Sequence, residues 1–389
     1  MKKLFIITGE YSGDTHAAYV VDEIKKLSPS TTIEAIGGKN LKERNIKLFS
    51  DHSKMSGTGL TPKMIWDHFN LGKNLIKYLK EDYKPDTVLL IDYSGFNLQI
   101  AKALKGSGIK IYYYICPQLW VTRKGRLKSI KKYVDKVFMT LPFEKEIYDR
   151  ANIENQFVGH PLITQLPPAY DREKFIQENN LDPNKKIVGI FPGSRKMELQ
   201  YLLKTFIKAA EILDKKAPNQ IQFCISQAPN IKTELLEKFF KKTDLEIKIL
   251  QNKNHQLLSC SDSLILASGT VSLEAALYHT PMLISYGAPW IYYLIYLCIR
   301  YIKYVSLPNI IIGKEIIKEL IQHKSKPELI ADETYDLIFN EDRKSVIADN
   351  LSLVKDMLSN KCSSQEVAKA LLGDFNDETY SQKETPQST

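Results

Sequence analysis

Short apolar runs alternate with amphipathic stretches along most of the chain. In the first half the runs are KLFIIT, TIEAIG, TVLLID, KIYYYI, KVFMTL and NQFVGH. Between them lie helical patterns such as AAYVVDEIKKL and MIWDHFNLGKNLIKYLKEDY. Continuous apolar runs predict strands buried on both faces, and their alternation with helices predicts a parallel, doubly wound sheet. A polar, proline-containing stretch, QLPPAYDREKFIQENNLDPNKK, interrupts the pattern, which restarts with KIVGIFPGSR, IQFCIS, LEIKIL, DSLILASG and PMLISYG. The expected fold is therefore α/β: two Rossmann-like doubly wound parallel-sheet domains facing a central cleft. The expected limits are residues 1–168 for the first domain and 169–349 for the second. Helices within 350–372 are expected to pack back onto the first, and 373–389 lacks an apolar period and reads as a disordered tail.

One stretch departs from this rhythm. PWIYYLIYLCIRYIKY, Pro289 to Tyr304, is the most apolar part of the chain, and no Asp, Glu, Lys or Arg occurs from Ala275 to Ile299. Pro281, Gly287 and Pro289 cut that window, and the unbroken apolar part, Trp290–Ile299, is far shorter than the roughly 20 residues a spanning helix needs. It reads either as a surface element for an apolar ligand or lipid layer, or as a buried or dimer-forming helix, which leaves a homodimer open.

Composition is that of an ordinary globular protein of 389 residues, 43% hydrophobic and 25% charged. A formal net charge of +9 favours anionic partners: phosphorylated ligands, anionic lipid or nucleic acid. No zinc finger, aromatic RNA-binding signature or helix-turn-helix pattern is present, so nucleic acid is not an expected partner. The five scattered cysteines, with no C-x-x-C, suit a reducing compartment and supply no zinc site.

Four strand–turn–helix junctions carry candidate chemistry. In LILASGTVSLEAAL, the turn Ser268-Gly269-Thr270 opens a helix whose free N–H groups and positive dipole end suit a phosphate. Glu274, one helical turn on, can accept the hydroxyls of a ribose, or it simply complements the dipole while Thr270 caps the helix. In IVGIFPGSRK, Arg195 sits at a helix start where a cation is unfavourable unless an anion binds beside it. In TVLLIDYSGFN, Asp92 ends a buried strand; it reads as a general base with a raised pKa, or as a helix cap. TGEYSGD, with Gly9, Glu10, Ser12, Gly13 and Asp14, forms a fourth junction but lacks G-x-G-x-x-G, so a dinucleotide site is unsupported. No Asp-x-Asp pair or His/Cys cluster offers a metal site, and no cofactor is expected. His16, His160 and His279 stand alone and read as structural.

Seven motifs in order, GEYSGD (9–14), IDYSGFN, LPFE (141–144), VGHP, FPGSR, ASGTVSLE and YVSLPN, make the chain resemble the lipid-A-disaccharide synthases over nearly its whole length. That resemblance implies an inverting, metal-independent glycosyltransferase of GT-B type. The reaction it implies joins UDP-2,3-diacylglucosamine to 2,3-diacylglucosamine 1-phosphate, giving a β-1,6-linked disaccharide 1-phosphate and UDP. The same resemblance implies Asp92 as base for the acceptor 6-hydroxyl, and Arg195, Ser268, Gly269, Thr270 and Glu274 as the UDP site. It places Gly9, Glu10, Ser12 and Gly13 on the acyl-sugar side and Asn309 along the active cleft. It also implies a cytoplasmic protein held peripherally at the inner membrane. Trp290, Tyr293, Arg300 and Lys303 would then meet acyl chains and headgroups, aided by the basic run RKGRLKSIKK (123–132). CPQLWVTRKGR and MSGTGL (55–60) depart from the family pattern. A UDP-sugar epimerase or hydrolase of the same fold is the alternative.

Overall fold

In a computed structural model the described residues are 2–51, 62–117, 124–193, 196–241, 243–267, 269–287, 303–358 and 361–381. The chain divides into two units: residues 1–164 with 358–389, and residues 165–357.

The first unit holds seven strands: β1 (Lys3–Ile7), β2 (Thr32–Gly37), β3 (Lys47–Asp51), β4 (Thr87–Ile91), β5 (Lys110–Tyr114), β6 (Lys136–Met139) and β7 (Asn155–Phe157). They form one parallel sheet in the order β3-β2-β1-β4-β5-β6-β7. β4 is buried at all five positions, which is why its sequence, TVLLI, shows no alternation. Each Leu or Val so buried contributes about 1.5–3 kcal/mol relative to exposure. The helix Tyr11–Leu27 buries Ala17, Ala18, Val20, Val21 and Ile24 on one face. The C-terminal helix Ser363–Ser381 returns to this unit, burying Val367, Ala368 and Leu371 in the same core cluster.

The second unit holds β8 (Lys186–Phe191), β9 (Ile221–Gln227), β10 (Ile247–Gln251), β11 (Ser263–Leu266), β12 (Met282–Tyr286) and β13 (Glu319–Ile321). These too are parallel, in the order β10-β9-β8-β11-β12-β13.

In both sheets the strand order reverses direction once, between β1 and β4 and between β8 and β11. A doubly wound sheet opens a crevice at the carboxyl end of such a switch point, because the flanking helices leave on opposite faces. All four candidate junctions fall there: TGEYSGD follows β1, DYSGFN follows β4, PGSR follows β8 and ASGT follows β11.

Two expectations about the C-terminal region are corrected. The helix Glu341–Met357 belongs to the second unit, where it buries Ile347, Leu351 and Val354, so residues 350–357 do not return to the first. The last helix continues to Ser381 rather than giving way to a tail at 373.

Candidate active site

In the first unit the site is built around a left-handed turn. Asp92 and Tyr93, which follow β4, have φ of 49° and 45°. A non-glycine residue in this region is strained, a bulky one more so, and two in succession need outside support. That support is visible. The Asn97 amide Nδ2 donates to the carbonyl oxygens of Asp92 at 2.7 Å and of Ile91 at 3.2 Å. The Tyr113 hydroxyl donates to the same Asp92 carbonyl at 2.7 Å. The Tyr93 ring lies over Gly9, where an added Cβ would come within 2.0 Å of it, and the Tyr93 hydroxyl meets His68 Nε2 at 2.6 Å. The turn projects the Asp92 carboxylate beyond the sheet edge in a half-buried position. Burial raises its pKa, opposed by a hydrogen bond from the Tyr93 N–H. An Asp held this way is a base of increased strength.

The first-strand junction has divided roles. Glu10 and Ser12 are exposed, while Gly9 and Gly13 are buried. Gly13 lets the helix approach β1 and β4: its Cβ would lie 3.3 Å from Thr8 Cβ and 3.8 Å from the Ile91 carbonyl. Asp14 is fully buried and accepts from the N–H groups of Gly38 (2.6 Å) and Asn40 (2.8 Å), fastening the turn after β2.

Behind Tyr113 lies a second polar cluster. Glu144, from LPFE, is buried, and its Oε2 accepts from the Leu141 N–H at 3.0 Å. Burial pushes its pKa up to about 8, with the Leu141 and Thr140 amides pulling back. Burial also pushes up Cys116 and Tyr148 beside it. His160, from VGHP, is buried and accepts from the Leu162 N–H; burial and the nearby His16 lower its pKa to about 4. At neutral pH it is therefore uncharged.

In the second unit Gly269 has φ of 148°, and among the described residues nothing beyond its chain neighbours comes within 4 Å of where its Cβ would stand. Gly193, in the loop after β8, has φ of 97°. Both loops after the switch-point strands thus turn at glycines whose backbone conformation L side chains rarely adopt. Thr270 is exposed and makes no side-chain capping bond, so its hydroxyl is available to a ligand. Glu274 is mostly buried; burial raises its pKa, opposed by His255, whose Nδ1 stands 3.9 Å from Glu274 Oε2. His255 sits in the first turn of the helix Asn254–Cys260, just past β10.

Each unit therefore brings its own candidates together: Gly9 with Asp92 in the first, and Gly269, Thr270 and Glu274 in the second. Arg195, Ser268, Trp290, Tyr293 and Arg300, and the segments MSGTGL and LWVTR, lie outside the described residues. Lys303 is exposed, its Nζ 5.3 Å from the Tyr304 ring centroid.

Asn309 follows the apolar stretch, in the first turn of the helix Leu307–Ile312. It is wholly buried: Oδ1 accepts from the N–H groups of Ile316 and Ile317, and Nδ2 donates to the Ile317 carbonyl and to Glu319. Glu319 also accepts from the Val305 and Ser306 amides and the Ser306 hydroxyl. Through these bonds Asn309 ties the start of the helix Leu307–Ile312 to β13.

Sequence reasoning missed Tyr113, Asn97, His68 and His255. Asn97 lay within a quoted motif; the other three stand on separate elements, and only folding brings them to the site. Exposed Trp66 and Phe69, stacked with centroids 6.2 Å apart on the helix Pro62–Lys77, also went unremarked.

A family model described as lipid-A-disaccharide synthetase matches residues 4–372. A lipid-A-disaccharide synthase of Coxiella burnetii is 35% identical over 374 residues, covering 95% of this chain and 98% of its own. One of Trichlorobacter lovleyi is 34% identical, covering 95% and 97%. Among solved structures, UDP-GlcNAc 2-epimerase from Neisseria meningitidis bound to UDP-GlcNAc superposes with a TM-score of 0.67 at 16% identity, covering 96% of this chain and all of its own. At that identity the likeness shows the shared fold alone.

Proposed function

The chain belongs to the lipid-A-disaccharide synthetase family and is a glycosyltransferase; from that premise we propose that Asp92 is its general base and the loop–helix after β11 its nucleotide-diphosphate subsite. The donor is UDP-2,3-diacylglucosamine and the acceptor 2,3-diacylglucosamine 1-phosphate. The acceptor O6 attacks the anomeric carbon as its proton passes to Asp92. The bond from C1 to the β-phosphate oxygen breaks, UDP leaves, and the α-linked donor becomes a β-linked product by single inversion.

The observation that carries this reading is the Asp92 turn: a carboxylate at the mouth of the β1/β4 switch point, held in a strained conformation and made more basic by burial. In the second unit, Glu274 accepts from the ribose hydroxyls, with His255 beside it. The Gly269–Thr270 turn and Arg195 receive the diphosphate, where charge accumulates as the bond breaks. Backbone dipoles and a guanidinium would then do the neutralising that a divalent ion does elsewhere.

Both substrates carry acyl chains, so the enzyme works at a lipid surface. No helix among the described residues is long and apolar enough to cross a membrane. Contact is therefore peripheral, through the exposed Trp66–Phe69 pair, Lys303 and the apolar stretch that precedes it.

The deciding experiment incubates purified protein with both acylated sugars and follows disaccharide and UDP, for the parent and for Asp92→Asn. The variant should bind UDP normally and lose at least about 10²-fold in turnover. Normal turnover in Asp92→Asn would remove the base assignment. UDP release with no acylated acceptor present would favour a hydrolase or epimerase instead.

A further inference from the structure

We propose that Tyr113 and Asn97 are positioning residues for glycosyl transfer, acting together on the Asp92 carbonyl to hold the base in its attacking orientation. The proposal rests on Asp92 being the base.

The peptide joining Asp92 to Tyr93 lies between two residues of positive φ, 49° and 45°. Relaxation of either to the ordinary region would rotate this peptide and swing the Asp92 side chain with it. What opposes that rotation is concentrated on one atom, the Asp92 carbonyl oxygen. It receives the Asn97 amide at 2.7 Å from the first turn of the following helix, Ser94–Leu104, and the Tyr113 hydroxyl at 2.7 Å from β5. The other links act elsewhere on the turn: Asp92 N–H to the Tyr114 carbonyl at 3.3 Å, Asn97 N–H to the Tyr93 carbonyl at 3.1 Å, and the Tyr93 side chain packed over Gly9 with its hydroxyl on His68.

Both clamping side chains are fully buried, so neither competes with water for this contact. Asn97 shows the specificity of the arrangement. Its Nδ2 serves two carbonyls, which fixes the amide orientation, while its Oδ1 has no hydrogen-bond partner among the described residues. A buried acceptor left unpaired is unfavourable, and it is tolerated here where the amide donors are needed. Tyr113 is equally directed: a Phe would fill the same core position, and only the hydroxyl reaches the turn.

The test uses the full chain with Tyr113→Phe, which keeps the ring. The expected result is an unchanged melting temperature to within a few degrees, an unchanged KM for the UDP-sugar, and a kcat lower by at least about tenfold, since small misplacements of a reacting group cost one to two orders of magnitude. The acid limb of kcat/KM against pH should also move to lower pH, because a carboxylate released from its turn gains water. The other charged or titratable groups that sense this region are Glu10 and Tyr93 at the turn, His68 against Tyr93, and Cys116, Tyr148, Glu144 and Arg126 around Tyr113. All of them remain in the variant. Asn97→Ala, if it folds, should behave in the same way with a larger loss.

A merely structural Tyr113 would lower the active fraction and leave the acid limb where it is. Unchanged kcat, or lost rate with an unmoved acid limb, overturns the positioning role while leaving Asp92 as the base. Full turnover in Asp92→Asn overturns both.

Discussion

Gly9→Ala isolates the contact between the two junctions of the first sheet. The built Cβ lies 2.0, 2.3 and 2.4 Å from three atoms of the Tyr93 ring. Carbon atoms rest about 3.5–4.0 Å apart, so the overlap is more than an ångström against a ring that cannot fold away. Tyr93 must move, and its hydroxyl then leaves His68 Nε2, now at 2.6 Å. Overpacking of this kind costs about 1–3 kcal/mol and the lost hydrogen bond about 1 kcal/mol. A total of about 2–4 kcal/mol corresponds to roughly 4–16 °C in the melting of a unit of this size. The functional loss should be larger in proportion. Tyr93 is the second residue of the strained turn, so its displacement carries Asp92 with it, and turnover should fall by about 10²-fold or more. The assay is UDP release with both acylated sugars, alongside thermal melting. Gly95→Ala is the control: its Cβ meets nothing within 4 Å, and it should lie within about 0.5 kcal/mol of the parent with full turnover. A Gly9→Ala protein that melts with the parent and turns over normally would falsify the claim that the two junctions form one packed unit.

Three further outcomes follow from the same geometry. Glu144 has its carboxyl held near 8 by burial, so between its ordinary value and about 8 the folded state keeps a proton the unfolded chain has released, and stability falls as pH rises across that window. Neutral Glu144→Gln lacks this slope, and its melting temperature relative to the parent should climb from about pH 5 to about pH 8; a constant difference contradicts the assignment. Asp14→Ala removes the acceptor of two backbone amides and should destabilise the first unit by about 2–4 kcal/mol in denaturant melts, with Asp14→Asn intermediate; a loss below half a kcal/mol would show that water replaces the carboxylate freely. His255→Ala should weaken UDP binding about two- to fivefold by calorimetry, a modest effect because the pair is partly exposed, with kcat little changed; equal affinity in parent and variant would remove His255 from the nucleotide subsite.

Eleven strand cores could be read as apolar runs, most of them because they are buried on both faces; β7 and β10 are only partly buried. The two that escaped notice, β3 and β13, each stand at one edge of a sheet, while the opposite edges, β7 and β10, were read. β3 is KLFSD, exposed at Lys47 and partly buried after it, and β13 is only Glu319–Ile321. An edge strand has neighbours on one side, so its sequence need not be continuously apolar, and three residues are too few for any period to show.

The site divides along the same line. Asp92, Gly269 and Thr270 could be named as candidates because they lie in the turns just after β4 and β11, and Glu274 because it is one helical turn further on; chain order alone puts such turns at a sheet's carboxyl edge. Asn309 was named on motif evidence, and nothing local reveals that its side chain bonds Glu319 and two backbone amides. Tyr113 reads as core in KIYYY, since alternation along a strand gives its face and not what its hydroxyl reaches. The linear order of residues settled the class of fold and which turns follow which strands, because these follow from periodicity; the strand order, and with it the two switch points, came from the packed sheets. The clamp on Asp92, the Gly9–Tyr93 contact and the His255–Glu274 pair were decided only when separate strands and helices packed, because hydrogen bonds of less than 3 Å and overlaps of an ångström depend on placement that no local pattern encodes.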